Sequence, residues 1–158
     1  MTVLHLEIPG FSTLALAHLV LDFNGTLALD GRLREGVSPR LQALADTLAI
    51  HVVTGDTHGT ARDQLRGLPV ALTVLGPDHQ AEAKRKHLRH LGPKACAALG
   101  NGRNDRLMLA EAALGIAVTG PEGTASEALH AAHLFVPDPC EALDLLAHPR
   151  RLVASLRG

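Results

Sequence analysis

Four short stretches place reactive side chains at the ends of apolar runs: DFNGT at 22–26, HVVTGD at 51–56, AEAKRKHLRHLG at 81–92 and GNGRND at 100–105. Asp22 offers an anionic oxygen nucleophile, Thr54 a hydroxyl donor, Lys84 a cation, and Asp105 a second acid able to hold a metal. Attack, charge neutralisation and in-line positioning are what transfer of a phosphoryl group requires, and these four side chain types supply them.

Such chemistry needs elements that bring distant residues together. Apolar runs at 17–23, 49–54, 70–75, 94–99, 115–118 and 133–136 read as strands, with 4–8 as a peripheral one. Amphipathic segments fit between them. Ser38-Pro39 reads as a cap opening a helix to about Leu48, and Asp56 as the cap of one reaching about Arg66. Further helices are expected at 80–91, 105–113, 124–131 and 139–147, the last two with capping-box spacing at Thr124/Glu127 and Asp138/Glu141. Continuous rather than alternating apolar strands between helices predict an α/β fold, a parallel sheet covered on both faces. Ligands of such sheets bind beyond the carboxyl ends of the strands, where the four stretches fall.

Composition narrows the partners. The 158 residues carry 15 Lys plus Arg against 16 Asp plus Glu, a net charge of −1, so there is no bulk attraction to nucleic acid or an anionic membrane. No apolar run approaches the length of a membrane span, and the first Lys or Arg is Arg32, so no secretory signal is read and a cytoplasmic protein is expected. With no linker, repeat or low-complexity tract, residues 1–158 are expected to form one domain. Aromatic residues are only 2% of the chain, so Leu, Ala, Val and Ile must pack the core. Cys96 and Cys140 lack metal-site spacing, and Cys96 reads as core. His87 and His90 share a helix face that reads as solvated rather than as a metal pair.

DFNGT, Thr54, Lys84 and GNGRND resemble, in order and spacing, the four motifs of the haloacid dehalogenase superfamily, especially its soluble branch similar to the phosphorylation domain of P-type ATPases. The resemblance implies a three-layer α/β/α, Rossmann-like fold and an Mg²⁺-dependent phosphohydrolase or phosphotransferase. Asp22 would become an aspartyl phosphate and also hold Mg²⁺, joined by the main-chain carbonyl of Asn24 and by Asp105, directly or through water. Thr54 and Gly55 would bind phosphate, and Lys84 would neutralise it. Lys86 competes for that role, but Lys84 has the family's spacing to Leu91-Gly92. Asn101 and Asn104 would support the site. Receiver domains use similar parts in another chain order, and no GxxxxGK[ST] loop is present.

Two departures from the pattern matter. Asn24 stands where most relatives have the acid and base that serves the leaving group and then water, which predicts slow turnover or a good leaving group. Asn101 replaces a common Asp, which predicts weaker Mg²⁺ binding. The alternative to an enzyme is therefore a regulatory module that binds phosphate and Mg²⁺ without turnover. Only a short flap near Asp30-Gly31 fits between Asp22 and Thr54, so no cap domain is expected; an open site would admit a large phosphorylated substrate unless a homo-oligomer covers it. Lys84, placed near a helix start, is expected to matter little for stability.

Overall fold

The apolar runs pair side by side in the computed structural model, which describes residues 3–158. In chain order the strands are β1 Leu4–Ile8, β2 Ser12–Leu16, β3 His18–Leu21, β4 Ala28–Leu29, β5 Arg32–Leu33, β6 Ala49–Thr54, β7 Val70–Val74, β8 Cys96–Gly100, β9 Leu114–Val118 and β10 Leu134–Val136. The helices are α1 Val37–Leu44, α2 Ala61–Gln64, α3 Gln80–Leu91, α4 Arg106–Glu111, α5 Ser126–Ala131, α6 Pro139–Ala147 and α7 Pro149–Leu156.

Six strands form one sheet in the order β10-β9-β8-β3-β6-β7, and all its pairs are parallel. On one face Leu19, Leu21 and Leu99 pack with Leu41 of α1 and Leu143 and Leu146 of α6. On the other, Val20, Val53 and Ala98 pack with Leu88 of α3 and Met108 and Leu109 of α4. The expected three-layer arrangement is thus present, built from aliphatic side chains. The chain leaves β3 for β6 on one side and later returns to β8 on the other, so the order reverses at β3 and opens a crevice at the strands' carboxyl ends.

Several local expectations change. The helix expected to reach Arg66 is the single turn α2, and Ser38 lies inside α1, whose cap is Gly36 at φ 86° without a side-chain bond. Thr124 does not cap α5, because its hydroxyl donates to the Val118 carbonyl instead. Asp138 does cap α6, accepting from the amides of Cys140 and Glu141. The antiparallel partner β2 and the helix α7 lie outside the expected elements. The flap is the hairpin β4–β5, and only that hairpin and α1 separate β3 from β6, so no domain is inserted there. Among the described residues no helix is long and apolar enough to cross a membrane.

Gly115 shows how closely α4 lies on the sheet: a Cβ there would stand 2.2 Å from the Leu109 carbonyl oxygen. Backbone cannot yield as a side chain can. Gly115→Ala should therefore cost about 1–3 kcal/mol of unfolding free energy by overpacking, measured as a lower urea midpoint at unchanged slope.

Candidate active site

Asp22 follows β3 directly, and its amide donates to the Leu99 carbonyl at 3.1 Å, continuing the pairing with β8. The chain then turns sharply: the amides of Thr26, Leu27 and Ala28 all donate to the Phe23 carbonyl, which leaves the Asn24 carbonyl out of the turn. Fully buried Phe23 anchors this turn in the core. Gly25 is required twice over, by its φ of 82° and because a Cβ would lie 2.5 Å from the Asn101 amide nitrogen. Thr26, also fully buried, holds its hydroxyl 3.2 Å from Asp22 Oδ2 and 3.2 Å from Asn101 Oδ1, drawing these two oxygens toward one point.

Lys84 departs from its expected exposure. Its side chain is completely buried, and Nζ donates to Asp22 Oδ1 and Asp105 Oδ1, each at 2.7 Å. Lys86 is exposed, so the lysine that reaches Asp22 is Lys84. Asp105, equally buried, uses its other oxygen to accept from the amides of Asn101 at 3.1 Å and Gly102 at 2.9 Å. Both Asp105 oxygens are thus engaged within the protein.

Burial is the largest influence on Asp22 and, with the nearby Asp105 charge, outweighs the opposing Lys84 ammonium; the carboxyl rises from 3.8 to about 6. It is still mainly ionised at neutral pH. Burial would lower the Lys84 pKa, but Asp105 and Asp22 more than reverse this, and the net direction is upward. Lys84 is therefore a fixed positive charge rather than a proton donor.

Thr54 ends β6 beside β3, 2% exposed, and its Oγ1 accepts from the Asp56 amide at 2.9 Å. That bond uses a lone pair and leaves the hydroxyl proton free to donate. Asp56 accepts from the amides of Thr60 and Ala61, both at 3.0 Å, and thereby fixes the loop after Thr54. Gly55 faces the Gln80 carboxamide so closely that a Cβ would stand 2.3 Å from its Nε2. Gln80 in turn donates to the Gly76 carbonyl and accepts from Asn104 Nδ2 at 2.9 Å. Asn101 donates to the Gly123 carbonyl at 3.1 Å.

Hydrogen bonds and ion pairs thus link Asp22, Thr26, Lys84, Asn101 and Asp105 in one cluster, while Thr54, Gly55 and Asn104 flank it at neighbouring strand ends. Asn24 stands apart: both polar atoms of its carboxamide are buried and have no hydrogen-bond partner among the described residues. Sequence reasoning missed Thr26 and Gln80. Thr26 lies within the quoted DFNGT, and Gln80 precedes Lys84 by one helical turn, spacing that puts both on one face. A depression of about 340 Å³ lined by Gln80, Ala81, Glu82, Arg103, Asn104 and Arg106 lies alongside.

Among the described residues no three His, Cys, Asp or Glu side chains are grouped to hold a metal. A cation in the crevice would meet Asp22 together with neutral oxygens, those of the Asn101 carboxamide and the Asn24 carbonyl. An all-oxygen set of this kind suits a hard divalent cation.

This sheet, with an acid after its central strand and a lysine reaching it from the flanking helix, is the haloacid dehalogenase fold. Solved structures agree. The 3-deoxy-D-manno-octulosonate 8-phosphate phosphatase of Moraxella catarrhalis superposes with a TM-score of 0.71 at 18% identity, over 90% of this chain and 94% of that one. A haloacid dehalogenase family hydrolase of Streptomyces avermitilis gives a TM-score of 0.65 at 22% identity, over 84% and 83%. The chain belongs to the family of the uncharacterized protein MJ0073 of Methanocaldococcus jannaschii, to which it is 45% identical over 64 residues, 40% of this chain and 69% of that protein. The uncharacterized protein MJ0072 of the same organism is 44% identical over 39 residues, 25% of this chain and 89% of that protein. No family model matches the chain.

The cluster makes opposed predictions for two substitutions in chelator-treated protein. Because the folded-state pKa of Asp22 lies above 3.8, the native state binds more protons than the unfolded chain between about pH 4 and 6, so stability falls as pH rises through that window. Asp22→Asn removes that loss and should stabilise the protein at pH 7–8 by up to about 3 kcal/mol, with the gain vanishing near pH 4. Lys84→Met leaves two buried carboxylates without their cation and should cost about 3–5 kcal/mol at pH 7, less as they protonate. Urea unfolding across pH 4–8 measures both, and unchanged stability in Lys84→Met would refute the clamp.

Proposed function

We propose that the protein is an Mg²⁺-dependent phosphohydrolase or phosphotransferase that works through an aspartyl phosphate on Asp22. The observation that carries this reading is the buried Lys84 ammonium, held at 2.7 Å from both Asp22 and Asp105 at the carboxyl end of the sheet. The Moraxella catarrhalis phosphatase, whose structure contains magnesium and phosphate ions, and the cobalt-bound Haemophilus influenzae enzyme share the fold and support the same chemistry here.

Asp22, Asn101 Oδ1 and the Asn24 carbonyl would hold Mg²⁺, with Asp105 acting through water and through Lys84 because its own oxygens are engaged. Bound there, Mg²⁺ supplies charge neutralisation to phosphate oxygens. Lys84 uses two of its three donors on the carboxylates, which leaves one for an incoming phosphate oxygen. Thr54 gives its free hydroxyl proton and Gly55 its main chain to the same group. A carboxylate oxygen of Asp22 attacks phosphorus in line, the bond to the leaving oxygen breaks, and that oxygen carries away the electron pair. Water then attacks phosphorus and must lose a proton as phosphate departs.

Asn24 governs both steps. Its orphaned carboxamide can donate a hydrogen bond to a ligand oxygen but cannot transfer a proton, and positioned acid or base catalysis is worth roughly 10²- to 10⁴-fold. This observation also favours a second reading, a regulatory module that captures phosphate and Mg²⁺ without turnover. The substrate in either case reaches an uncapped crevice, which suits a large phosphorylated partner.

Rapid-quench kinetics with p-nitrophenyl phosphate separate the two. Nitrophenolate leaves unprotonated, so the wild type should release it in a Mg²⁺-dependent burst approaching one equivalent per chain, followed by slow turnover. Asn24→Asp should abolish the burst and accelerate alkyl phosphates more than the aryl ester, and Asp22→Asn should show neither phase. Phosphate binding without a burst, unrelieved by Asn24→Asp, would establish the regulatory module.

A further inference from the structure

The flap is too small to hold its own position. β4 and β5 pair Ala28 with Leu33 and Leu29 with Arg32, and the turn between them is Asp30-Gly31 at φ 51° and 78°, the type I′ pattern of an Asp-Gly hairpin. A two-stranded ribbon of this length is marginally stable at best when alone. The single turn α2 is equally short of internal support. The two elements hold each other.

Thr60 Oγ1 donates to the Gly31 carbonyl at 2.5 Å, and the Leu33 amide donates to Gln64 Oε1 at 2.8 Å. The Gln64 amide donates to the Thr60 carbonyl, so these two residues stand one turn apart and address the flap from the same face. The approach is close, since a Cβ on Gly31 would lie 2.7 Å from His58 Cβ and 2.8 Å from Thr60 Oγ1. Thr60 also belongs to the loop that follows β6. Its amide donates to Asp56 Oδ1 at 3.0 Å, and the Asp56 amide donates to Thr54 Oγ1 at 2.9 Å. A chain of hydrogen bonds therefore runs from the flap tip to the Thr54 hydroxyl.

We infer that Thr60 is a positioning residue whose hydroxyl fixes the flap against the loop carrying Thr54, which makes the flap a stationary wall of the crevice rather than a lid. A hydroxyl suits this place, because the Gly31 carbonyl needs a donor and the Thr60 amide is already committed to Asp56. The anchor needs only these contacts; its effect on phosphate rests on the function proposed above. There, Thr54 can aim its proton at a phosphate oxygen only while its loop keeps its place. A phosphate held by Thr54 would thus steady the flap, and a steady flap would hold Thr54 ready, since coupling between two sites is reciprocal.

Hydrogen exchange of the full chain, read by mass spectrometry over residues 27–34, tests both parts. Thr60→Ala and Thr60→Ser lose the same methyl group and differ only in the hydroxyl. Thr60→Ala should speed flap exchange about fivefold, the worth of one net hydrogen bond, while exchange in β3 and β8 stays as in the wild type. Thr60→Ser should keep the slow exchange, and Gln64→Leu should speed it without touching Thr60. Inorganic phosphate with Mg²⁺ should slow flap exchange further in the wild type and in Thr60→Ser but not in Thr60→Ala. Flap exchange unaltered by Thr60→Ala, or equally fast in Thr60→Ser, would overturn the anchor, and phosphate protection that survives Thr60→Ala would overturn its link to Thr54. A wild type that binds no phosphate in calorimetry would refute the proposed function instead, and exchange in the phosphate-free protein would still decide the anchor.

Discussion

One buried ammonium organises the crevice. Lys84 comes from the flanking helix α3, Asp22 from the end of β3 and Asp105 from the turn after β8, and the three meet with no solvent exposure of the lysine. Removing such charges from water costs several kcal/mol for each ion, which their attraction offsets only with good geometry and further hydrogen bonds. Those bonds exist: Asp105 also receives two main-chain amides, and Asp22 a threonine hydroxyl. Two carboxylates around one cation nevertheless leave an excess negative charge. Burial first and then the Asp105 charge raise the Asp22 pKa, and a divalent cation beside Asp22 would oppose both.

The fold was largely legible in the sequence because buried parallel strands announce themselves as continuous apolar runs, and each stretch bearing a reactive residue follows such a run or its flanking helix. Asp22, Thr54 and the loop containing Asp105 could be placed by that logic. Lys84 was identified but its environment was misjudged: near a helix start, in a segment rich in Arg, Lys and His, periodicity gives no sign that one cation occupies a core position. Thr26 and Gln80 were missed for a similar reason, since their roles arise from contacts 75 and 24 residues away in the chain. Local chemistry also misled at Ser38, which lies inside α1 rather than capping it, and at Thr124, whose hydroxyl bonds the Val118 carbonyl instead.

Asn24 and Asn101 are better understood together than as separate departures from a motif. Each places a carboxamide, where the resemblance implies a carboxylate, in a crevice where burial and then the Asp105 charge already disfavour ionised Asp22. A third or fourth carboxylate would deepen that repulsion in the metal-free protein, whereas an amide retains an oxygen for a cation and adds an N–H donor. Asn101 uses both capacities, accepting from Thr26 and donating to Gly123. Asn24 uses neither within the protein. On the proposed chemistry, the two amides would limit the charge gathered around Asp22 at the expense of proton transfer.

The helix α3 connects these considerations. Gln80, Lys84, His87 and Leu88 recur at the spacing of one helical face, and only Leu88 among them is apolar. Alongside the buried Ala81 and Leu88, this face carries polar groups that must be satisfied by particular partners. Gln80 is satisfied by Asn104 and the Gly76 carbonyl, Lys84 by two carboxylates. His87, one turn beyond Lys84 along α3, is the member of that face whose buried Nε2 has no hydrogen-bond partner among the described residues. A helix held this way has its position fixed by charge at its amino end, so any anion that draws on Lys84 acts on the same contact that seats α3 against β3. An anion bound in the crevice would therefore draw on one of the contacts that seat this helix.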